Sequence, residues 1–177
     1  MKELSLHILD LIENSVAGGA SRVDVVIDED HTADRLSLTV RDDGRGMSPE
    51  IAAHATDAFT TTRTTRKVGL GIPLLAAAAE QAGGRFSLTS SEGRGTVVVA
   101  EFRLSHIDRA PLGKIDETIA TAALLHPELD LRLRHRVGRR YYSVRTCPSD
   151  ARHPATRAAL AARAKVRAGR ARINSTA

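Results

Sequence analysis

The chain has few of the residue types on which several common protein classes depend. Only one of its 177 residues is cysteine, so it can build neither an internal disulfide nor a thiolate metal cluster. Aromatic residues make up 3% of the chain and tryptophan is absent, which leaves Ala, Val, Leu and Ile to form the core. No run of about 18 apolar residues occurs, so we expect a cytoplasmic protein without a membrane partner.

Charge is divided unevenly along the chain. Residues 1–104 contain 11 Lys and Arg against 15 Asp and Glu, a net charge of −4, whereas residues 105–177 contain 15 against 6, a net charge of +9. The two parts therefore present different surfaces and can have different partners. Residues 148–177 form an Ala- and Arg-rich tail without aromatic residues, so a solvated tail, helical or disordered, is favoured over a nucleic-acid contact.

Hydrophobic periodicity predicts an α+β chain. Apolar positions at steps of three and four predict an amphipathic helix over residues 3–17, and an alanine-rich run predicts another over residues 71–82. Ser48 followed by Pro49 predicts the start of a further helix. Alternating apolar and polar residues predict strands at residues 22–28, 35–41, 85–90 and 96–104.

The organisation changes after residue 104. A connector containing Pro111 leads to a predicted helix at residues 115–125, and a hairpin is predicted around Val137-Gly138. We therefore divide the chain into a domain at residues 1–104, a small helix-plus-hairpin extension at 105–147 and the basic tail at 148–177.

Asp10 and Asn14 lie four residues apart on the first predicted helix, so their side chains share one face. The Asn14 amide oxygen can coordinate Mg²⁺, which takes its other ligands from water and phosphates. The Asp10 carboxylate can orient or deprotonate a nucleophile near a γ-phosphate. Taken alone, an asparagine that faces solvent near a helix end fits the same pattern.

Three glycine clusters follow this helix, DDGRGM at residues 42–47, GLGI at residues 69–72 and GRGT at residues 93–96. Asp42 ends a predicted buried strand, and its carboxylate can accept a hydrogen bond from the exocyclic amino group of adenine. GLGI opens a predicted helix whose free amides attract phosphate, and Arg63, Arg66 and Lys67 precede it. Taken singly, the clusters also fit ordinary turns.

In this order, the motifs resemble the ATP-binding domain shared by DNA gyrase B, heat-shock chaperones, sensor histidine kinases and MutL mismatch-repair ATPases, the GHKL or Bergerat superfamily. The resemblance runs from residue 2 to residue 104, and DAFTTTR at residues 57–63 is similar to the start of the kinase ATP lid. It implies an α+β two-layer sandwich, with helices packed on one face of a mixed, largely antiparallel sheet. It also implies ATP and Mg²⁺ as cofactors.

Carried over residue by residue, the resemblance implies Asn14 as the Mg²⁺ ligand and Asp42 as the adenine anchor. Gly44 and Gly46 would form the turn that faces the adenine ring, with Thr96 beside it.

The same resemblance assigns the phosphates to Gly69, Leu70 and Gly71. Residues 59–68, beginning at Phe59, would form the lid.

Asp10, Arg63 and Lys67 are the candidate catalytic residues. Asp10 stands where the ATPase members carry glutamate and is one methylene shorter, which disfavours hydrolysis. Glu13 adjoins Asn14 but lies about 100° around the helix from it, so it is the poorer base.

The short lid favours a kinase over the other members of the superfamily. We expect no phosphoacceptor hairpin upstream, because the domain begins at residue 2, and so predict transfer of the γ-phosphate to a partner protein in a regulatory, signalling pathway. A non-catalytic ATP-dependent binding module and a slow ATPase stay open, as do the partner and the oligomeric state.

HIDRAPL at residues 106–112 resembles the phosphoacceptor box of sensor kinases. A connector in which His106 makes a local hydrogen bond is the favoured interpretation. Phosphorylation of His106 is kept as a hypothesis.

Overall fold

The computed structural model describes residues 3–57 and 71–146. The described residues form four helices, α1 (Leu4–Ala17), α2 (Pro49–Ala53), α3 (Gly71–Gln81) and α4 (Ile115–Leu125). They also form six strands, β1 (Arg22–Asp30), β2 (Arg35–Asp42), β3 (Arg85–Ser91), β4 (Gly95–Arg103), β5 (Asp130–Val137) and β6 (Arg140–Thr146). The predicted helices and strands are present, with bounds that differ by one or two residues.

The six strands form one sheet in the order β3-β4-β2-β1-β5-β6. Every neighbouring pair is antiparallel except β1 and β5, which run parallel. Helices pack on one face of this sheet, which confirms the predicted two-layer architecture with a mixed, largely antiparallel sheet. Among the described residues, no helix is long and apolar enough to cross a membrane.

The core lies between the helices and the inner face of the sheet. The buried stripe of α1 consists mainly of aliphatic side chains, Leu4, Ile8, Leu11 and Ile12. On the strands every second residue is buried, as the period of two requires, for example Val23, Val25 and Ile27 on β1. Small and aliphatic residues fill this space, and Phe102 is the largest fully buried side chain of the described residues.

The C-terminal helix and hairpin share the sheet and the core of the preceding elements. β5 pairs with β1 along its length, from Arg22 opposite Asp130 to Glu29 opposite Val137. Ile115 and Ile119 of α4 belong to the same buried cluster as the α1 stripe. Parallel pairing requires a crossover between the two strands, so the pairing of β5 depends on distant parts of the chain and has no local sequence signal. The boundary at residue 104 therefore stays a prediction about sequence organisation, whereas the sheet is continuous across it.

Candidate functional site

A cleft of about 550 Å³ opens between α1, α2 and the ends of β2 and β4. Its walls combine polar groups with an apolar surface suited to a flat ring. Its lining includes Asn14, Ser15, Asp42, Gly46, Met47, Ile51, Ile72 and Thr96. The cleft thus brings together Asn14, Asp42, Gly46 and Thr96, which the sequence places 82 residues apart at the extremes.

The Asp42 carboxylate lies at the end of β2 and is held by donors from three elements. Its Oδ1 accepts the backbone N–H of Gly44 at 2.9 Å and of Thr96 at 3.2 Å. Its Oδ2 lies 3.0 Å from the hydroxyl of Ser15, which is also 2.9 Å from the carbonyl of Leu11. Because Oδ1 is occupied twice, Oδ2 is the oxygen with spare acceptor capacity. The carboxylate is thereby oriented before any ligand arrives.

The neighbouring Asp43 has a structural role instead. Its Oδ1 accepts the backbone N–H groups of Ser21 and Arg22, each at 2.8 Å, and its Oδ2 accepts the Ser21 hydroxyl at 2.7 Å. These bonds attach the end of β2 to the start of β1. Of the two adjacent aspartates, only Asp42 lines the cleft.

Gly46 is required by the packing of its loop against the β3–β4 turn. It adopts φ +67°, and a Cβ built on it would lie 1.9 Å from the carbonyl oxygen of Ser91. The hydroxyl of Ser90 accepts the backbone N–H of Met47 at 2.9 Å and lies 2.9 Å from the hydroxyl of Thr96. The predicted ring-facing turn therefore has a second constraint, which is close contact with the neighbouring hairpin.

Gly44 does not line the cleft but lies behind Asp42. A Cβ built on Gly44 would stand 3.1 Å from Asp42 Oδ1 and 3.1 Å from the carbonyl oxygen of Gly18. Its backbone N–H supports the carboxylate, as described above. Its part in the site is to hold Asp42.

Asn14 lines the cleft from α1, and its side chain makes no hydrogen bond to another described residue. An uncommitted amide oxygen in a cleft wall fits a Mg²⁺ ion that takes most of its ligands from phosphates and water. Among the described residues no group of three or more His, Cys, Asp or Glu side chains could hold a metal. A metal at this site would therefore depend on a bound phosphate ligand as well as on Asn14.

Asp10 lies against the N-terminus of α3. A Cβ built on Gly71 would be 3.1 Å from the Asp10 Cβ and 3.3 Å from its Oδ2. Burial, and then the charge of Glu13, raise the pKa of Asp10. A carboxylate with a raised pKa is better suited to accept a proton near neutral pH than an ordinary aspartate.

Glu13 is engaged elsewhere. Its Oε1 lies 2.8 Å from Nε2 of His126, the residue that follows α4. This contact connects α1 to the residue that follows α4. The Glu13 carboxylate, which the sequence indicated as a poorer base than Asp10, is therefore already paired.

The remaining histidines of interest lie away from the cleft. His7 is buried in the α1 layer, and desolvation lowers its pKa. His106 follows β4, at the end of the strand opposite Thr96, and its Nδ1 accepts the backbone N–H of Asp108 at 3.2 Å. The local hydrogen bond expected for His106 is therefore present.

Several predicted residues lie outside the described part of the chain. They are Phe59, Arg63, Lys67, Gly69, Leu70, the rest of the lid and the tail from residue 148. Their assignments stay predictions.

Sequence reasoning missed two contributors to the cleft. Ser15 lies on the buried face of α1 and belongs to none of the sequence motifs, yet its hydroxyl reaches Asp42 on the strand packed beneath the helix. The apolar wall formed by Met47 and Ile51 depends on how α2 folds back, for which the sequence carries no local signal.

The family model of histidine kinase-, DNA gyrase B- and HSP90-like ATPases matches residues 2–106 of this chain. The chain belongs to this family. It therefore carries a GHKL ATP-binding domain, and the cleft around Asp42 is where the motifs of this domain converge.

Two kinds of curated GHKL relatives match. A putative NtrY-like sensor histidine kinase of Rickettsia conorii is 27% identical over 109 residues, 61% of this chain and 18% of the relative. The mismatch-repair protein MutL of Xanthomonas campestris is 28% identical and covers 76% of this chain and 28% of the relative. The chain spans less than a third of the length of either relative.

Solved structures show the same fold. The Aquifex aeolicus MutL ATPase domain complexed with ADP aligns with a TM-score of 0.57, at 17% identity, over 92% of this chain and 70% of that one. The N-terminal domain of a DNA repair protein aligns with a TM-score of 0.59, at 13% identity, over 86% and 55%. Both alignments cover a larger part of this chain than residues 2–106, the part matched by the family model, so the shared fold includes the C-terminal helix and hairpin.

Proposed function

We propose that this chain binds ATP with Mg²⁺ and transfers the γ-phosphate to a partner protein in a regulatory pathway. The observation that carries the proposal is the orientation of the Asp42 carboxylate, which presents Oδ2 as an acceptor within an apolar cleft. An acceptor fixed in this way pairs with the exocyclic amino group of adenine and leaves guanine, which has a carbonyl there, unpaired.

The cleft residues would divide the work between the two ends of the nucleotide. Asp42 and Thr96 would hold the adenine end, between Ile51 and Ile72. Asn14 would hold the metal, which when bound supplies positive charge to the phosphates. The metal site is inferred from the donor set alone.

Asp10 is the residue we propose for the proton transfer. As the acceptor oxygen or nitrogen of the partner bonds to the γ-phosphorus, the bond to the bridging oxygen of ADP breaks and the acceptor proton passes to Asp10. Its raised pKa and its place beside the N-terminus of α3 support this role. Arg63 and Lys67 would neutralise the transferring group, as the sequence predicts.

Slow hydrolysis of ATP by the same site is the second candidate. Supporting it, the match to Xanthomonas MutL covers 76% of the chain, more than the 61% matched by the sensor kinase. In this case water replaces the partner acceptor and Asp10 accepts its proton. A module that binds ATP without turnover, and changes its affinity for a partner, is the remaining alternative. A cytoplasmic location, the oligomeric state and phosphorylation of His106 stay open predictions.

A transfer assay separates these candidates. The immobilised full chain captures proteins with and without Mg·ATP, and the captured fraction is then incubated with γ-labelled ATP. Label on a captured protein supports transfer, whereas label released only as phosphate supports hydrolysis. Nucleotide-dependent capture without either product would overturn both catalytic proposals, and label on wild type but not on His106→Ala would place the acceptor at His106.

A further inference from the structure

The outer face of the sheet, opposite the helices, collects most of the arginines of the described residues. Strand residues that alternate with the buried ones point to this face. Nine of them are arginines, Arg22, Arg35, Arg41, Arg85, Arg103, Arg132, Arg134, Arg136 and Arg145. Five are carboxylates, Asp24, Asp28, Asp30, Glu101 and Asp130. The face therefore has a positive excess although residues 1–104 are acidic overall.

The excess of positive charge is greatest on the β5–β6 hairpin. We call the outward side chains of Arg132, Arg134, Arg136, Tyr141 and Arg145 the hairpin face. Between residues 131 and 146 the chain has six arginines, no lysine and no carboxylate. A polyanion is the ligand that complements such a surface.

One carboxylate serves three guanidinium groups at one end of the hairpin face. Asp130 lies 2.8 Å from Arg132 and Arg145, and 3.4 Å from Arg22. The guanidinium of Arg145, with that of Arg132, holds the pKa of Asp130 well below its usual range. Arg132 and Arg145 also stand directly opposite each other across the two strands, an arrangement that repels. Arg132 has a second carboxylate, that of Asp24 at 3.9 Å, so the three guanidinium groups share two carboxylates and an external anion would offset the remaining positive charge.

Arg134 occupies the middle of the hairpin face. It is exposed, and no carboxylate of the described residues lies within 4 Å of its guanidinium. Its register neighbours are Ser143 on β6 and Val26 on β1. Arg132, Arg134 and Arg136 follow one strand at intervals of about 6.6 Å. In this row Arg132 and Arg136 are paired with carboxylates, Arg136 with Asp28, and Arg134 at the centre is the member without a carboxylate partner among the described residues.

We propose that the hairpin face binds nucleic acid through its phosphate groups. A guanidinium fork pairs with phosphate in two hydrogen bonds, which explains the use of arginine in place of lysine. Tyr141, with 74% of its side chain exposed and paired in register with Arg136, offers a ring on which an unpaired base can stack. Contacts between guanidinium groups and phosphates carry no sequence information, so we expect binding without sequence preference.

An acidic protein fits this surface less well. Protein interfaces bury an apolar centre, and the outward residues of the hairpin include no aliphatic side chain. The chain's own tail is also excluded as the occupant, because residues 147–177 contain seven cations and one carboxylate. The sequence considered alone raised nucleic acid only for the tail, since the alternation of hairpin arginines onto one face depends on the sheet.

The test compares two arginines from distant strands of the same sheet face, β5 and β3. Binding of labelled DNA duplex, single-stranded DNA and single-stranded RNA to the full chain is measured by fluorescence anisotropy over a range of salt concentrations. Arg134→Ala is the test variant and Arg85→Ala the control. Arg85 lies four strands away, about 19 Å, and its removal changes the charge equally. Thermal unfolding confirms that both variants fold.

We expect Arg134→Ala to weaken binding and to reduce the slope of log K against log salt by about 0.9, the value for one lost phosphate contact. Arg85→Ala should leave the slope unchanged, and Arg134→Glu should weaken binding further. A stronger effect of Tyr141→Ala on single strands than on duplex would support stacking. The proposal fails if wild type binds no nucleic acid at low salt, if Arg134→Glu leaves binding unchanged, or if polyglutamate binds the chain as tightly as nucleic acid does.

Discussion

Asp10 combines a half-buried position with a charge that forms no ion pair with another described residue. Burial raises its pKa, so the folded state favours the neutral form and the carboxylate destabilises the protein at neutral pH. The group lies beside Gly71, where the resemblance places the phosphates. Such a conflict between stability and local environment is common at functional sites.

Replacing Asp10 by asparagine should therefore stabilise the protein. We expect a higher melting temperature for Asp10→Asn at neutral pH, unchanged ATP binding, and loss of phosphate transfer or release. Asp108→Asn is the matched control, because it makes the same change from carboxylate to amide at a side chain that is 69% exposed and lies outside the cleft. A melting temperature below wild type in Asp10→Asn, or unaltered turnover, would remove Asp10 from the proposed mechanism.

Ser15 acts on the nucleotide through Asp42. Its hydroxyl is 3.0 Å from Asp42 Oδ2, and losing one such bond costs about 0.5–1.5 kcal/mol. Calorimetry of Ser15→Ala should show ATP affinity about 2- to 10-fold weaker. Ser5→Ala is the control, since Ser5 is buried on the same helix and its hydroxyl donates to Glu3 and not to a residue of the cleft. Equal affinities for the two variants would mean that Ser15 does not position Asp42.

The sequence predicted the type and position of the main polar residues of the cleft, because each stands in a local motif. The donors that orient Asp42 could not be predicted. Thr96 donates across 54 residues of sequence and Ser15 across 27, so both contacts depend on strand pairing and helix packing.

At the scale of elements, two glycines in turns are present for different reasons. One is needed because a side chain would collide with a neighbouring turn, and the other because its backbone is left-handed. Gly46 and Gly93 both have positive φ, +67° and +71°. A Cβ on Gly46 would collide with Ser91, whereas a Cβ on Gly93 would meet nothing within 4 Å. Their alanine variants therefore separate the two effects.

Gly93→Ala should lose about 1–2 kcal/mol of unfolding free energy, the cost of the left-handed conformation alone. Gly46→Ala should lose more, because the loop must also move away from the β3–β4 turn, and its ATP affinity should fall. Denaturant unfolding and calorimetry of both variants measure these effects. Equal losses of stability would show that the loop tolerates the added methyl group.

The positions of the helices and strands along the chain were predicted closely, because apolar periodicity is a local property of the sequence. The order of the strands in the sheet was not predicted. The pairing of β5 with β1 joins residues about 108 apart, such as Arg22 and Asp130, and turns the predicted extension into part of the central sheet. The alternation that identifies a strand says which face is buried but not which neighbour it will have.

At the scale of the whole molecule, ion pairs hold the two strands of the C-terminal hairpin together and join the hairpin to β1. Hydrogen bonds from Arg145 and Arg132 hold the pKa of Asp130 low, and a hydrogen bond from His135 lowers that of Glu29. A carboxyl whose pKa is lowered on folding stabilises the protein above its unfolded pKa, and this contribution is lost as pH falls. Stability should therefore decline as pH drops below about 4.5.

Asp130→Asn tests this origin of acid sensitivity. The variant should be less stable than wild type at neutral pH, because three arginines lose their carboxylate, and its stability should fall less steeply below about pH 4.5. Asp108→Asn serves as the comparison, since that side chain is 69% exposed and no arginine or lysine of the described residues forms an ion pair with it. Denaturant unfolding at several pH values gives both slopes. If the unfolding free energy of Asp130→Asn fell with decreasing pH as steeply as that of Asp108→Asn, Asp130 would not be a source of the acid sensitivity.

We propose that Asp42 anchors the adenine of ATP in the cleft, and titration calorimetry with Mg·ATP measures whether it does. Wild type should bind ATP and bind GTP at least about 100-fold more weakly. Asp42→Ala should lose about 10- to 100-fold in ATP affinity, since a hydrogen bond to a charged group contributes about 1.5–3 kcal/mol, while Asp108→Ala should bind as wild type. Equal affinity for ATP and GTP, or ATP affinity unchanged in Asp42→Ala, would contradict the account.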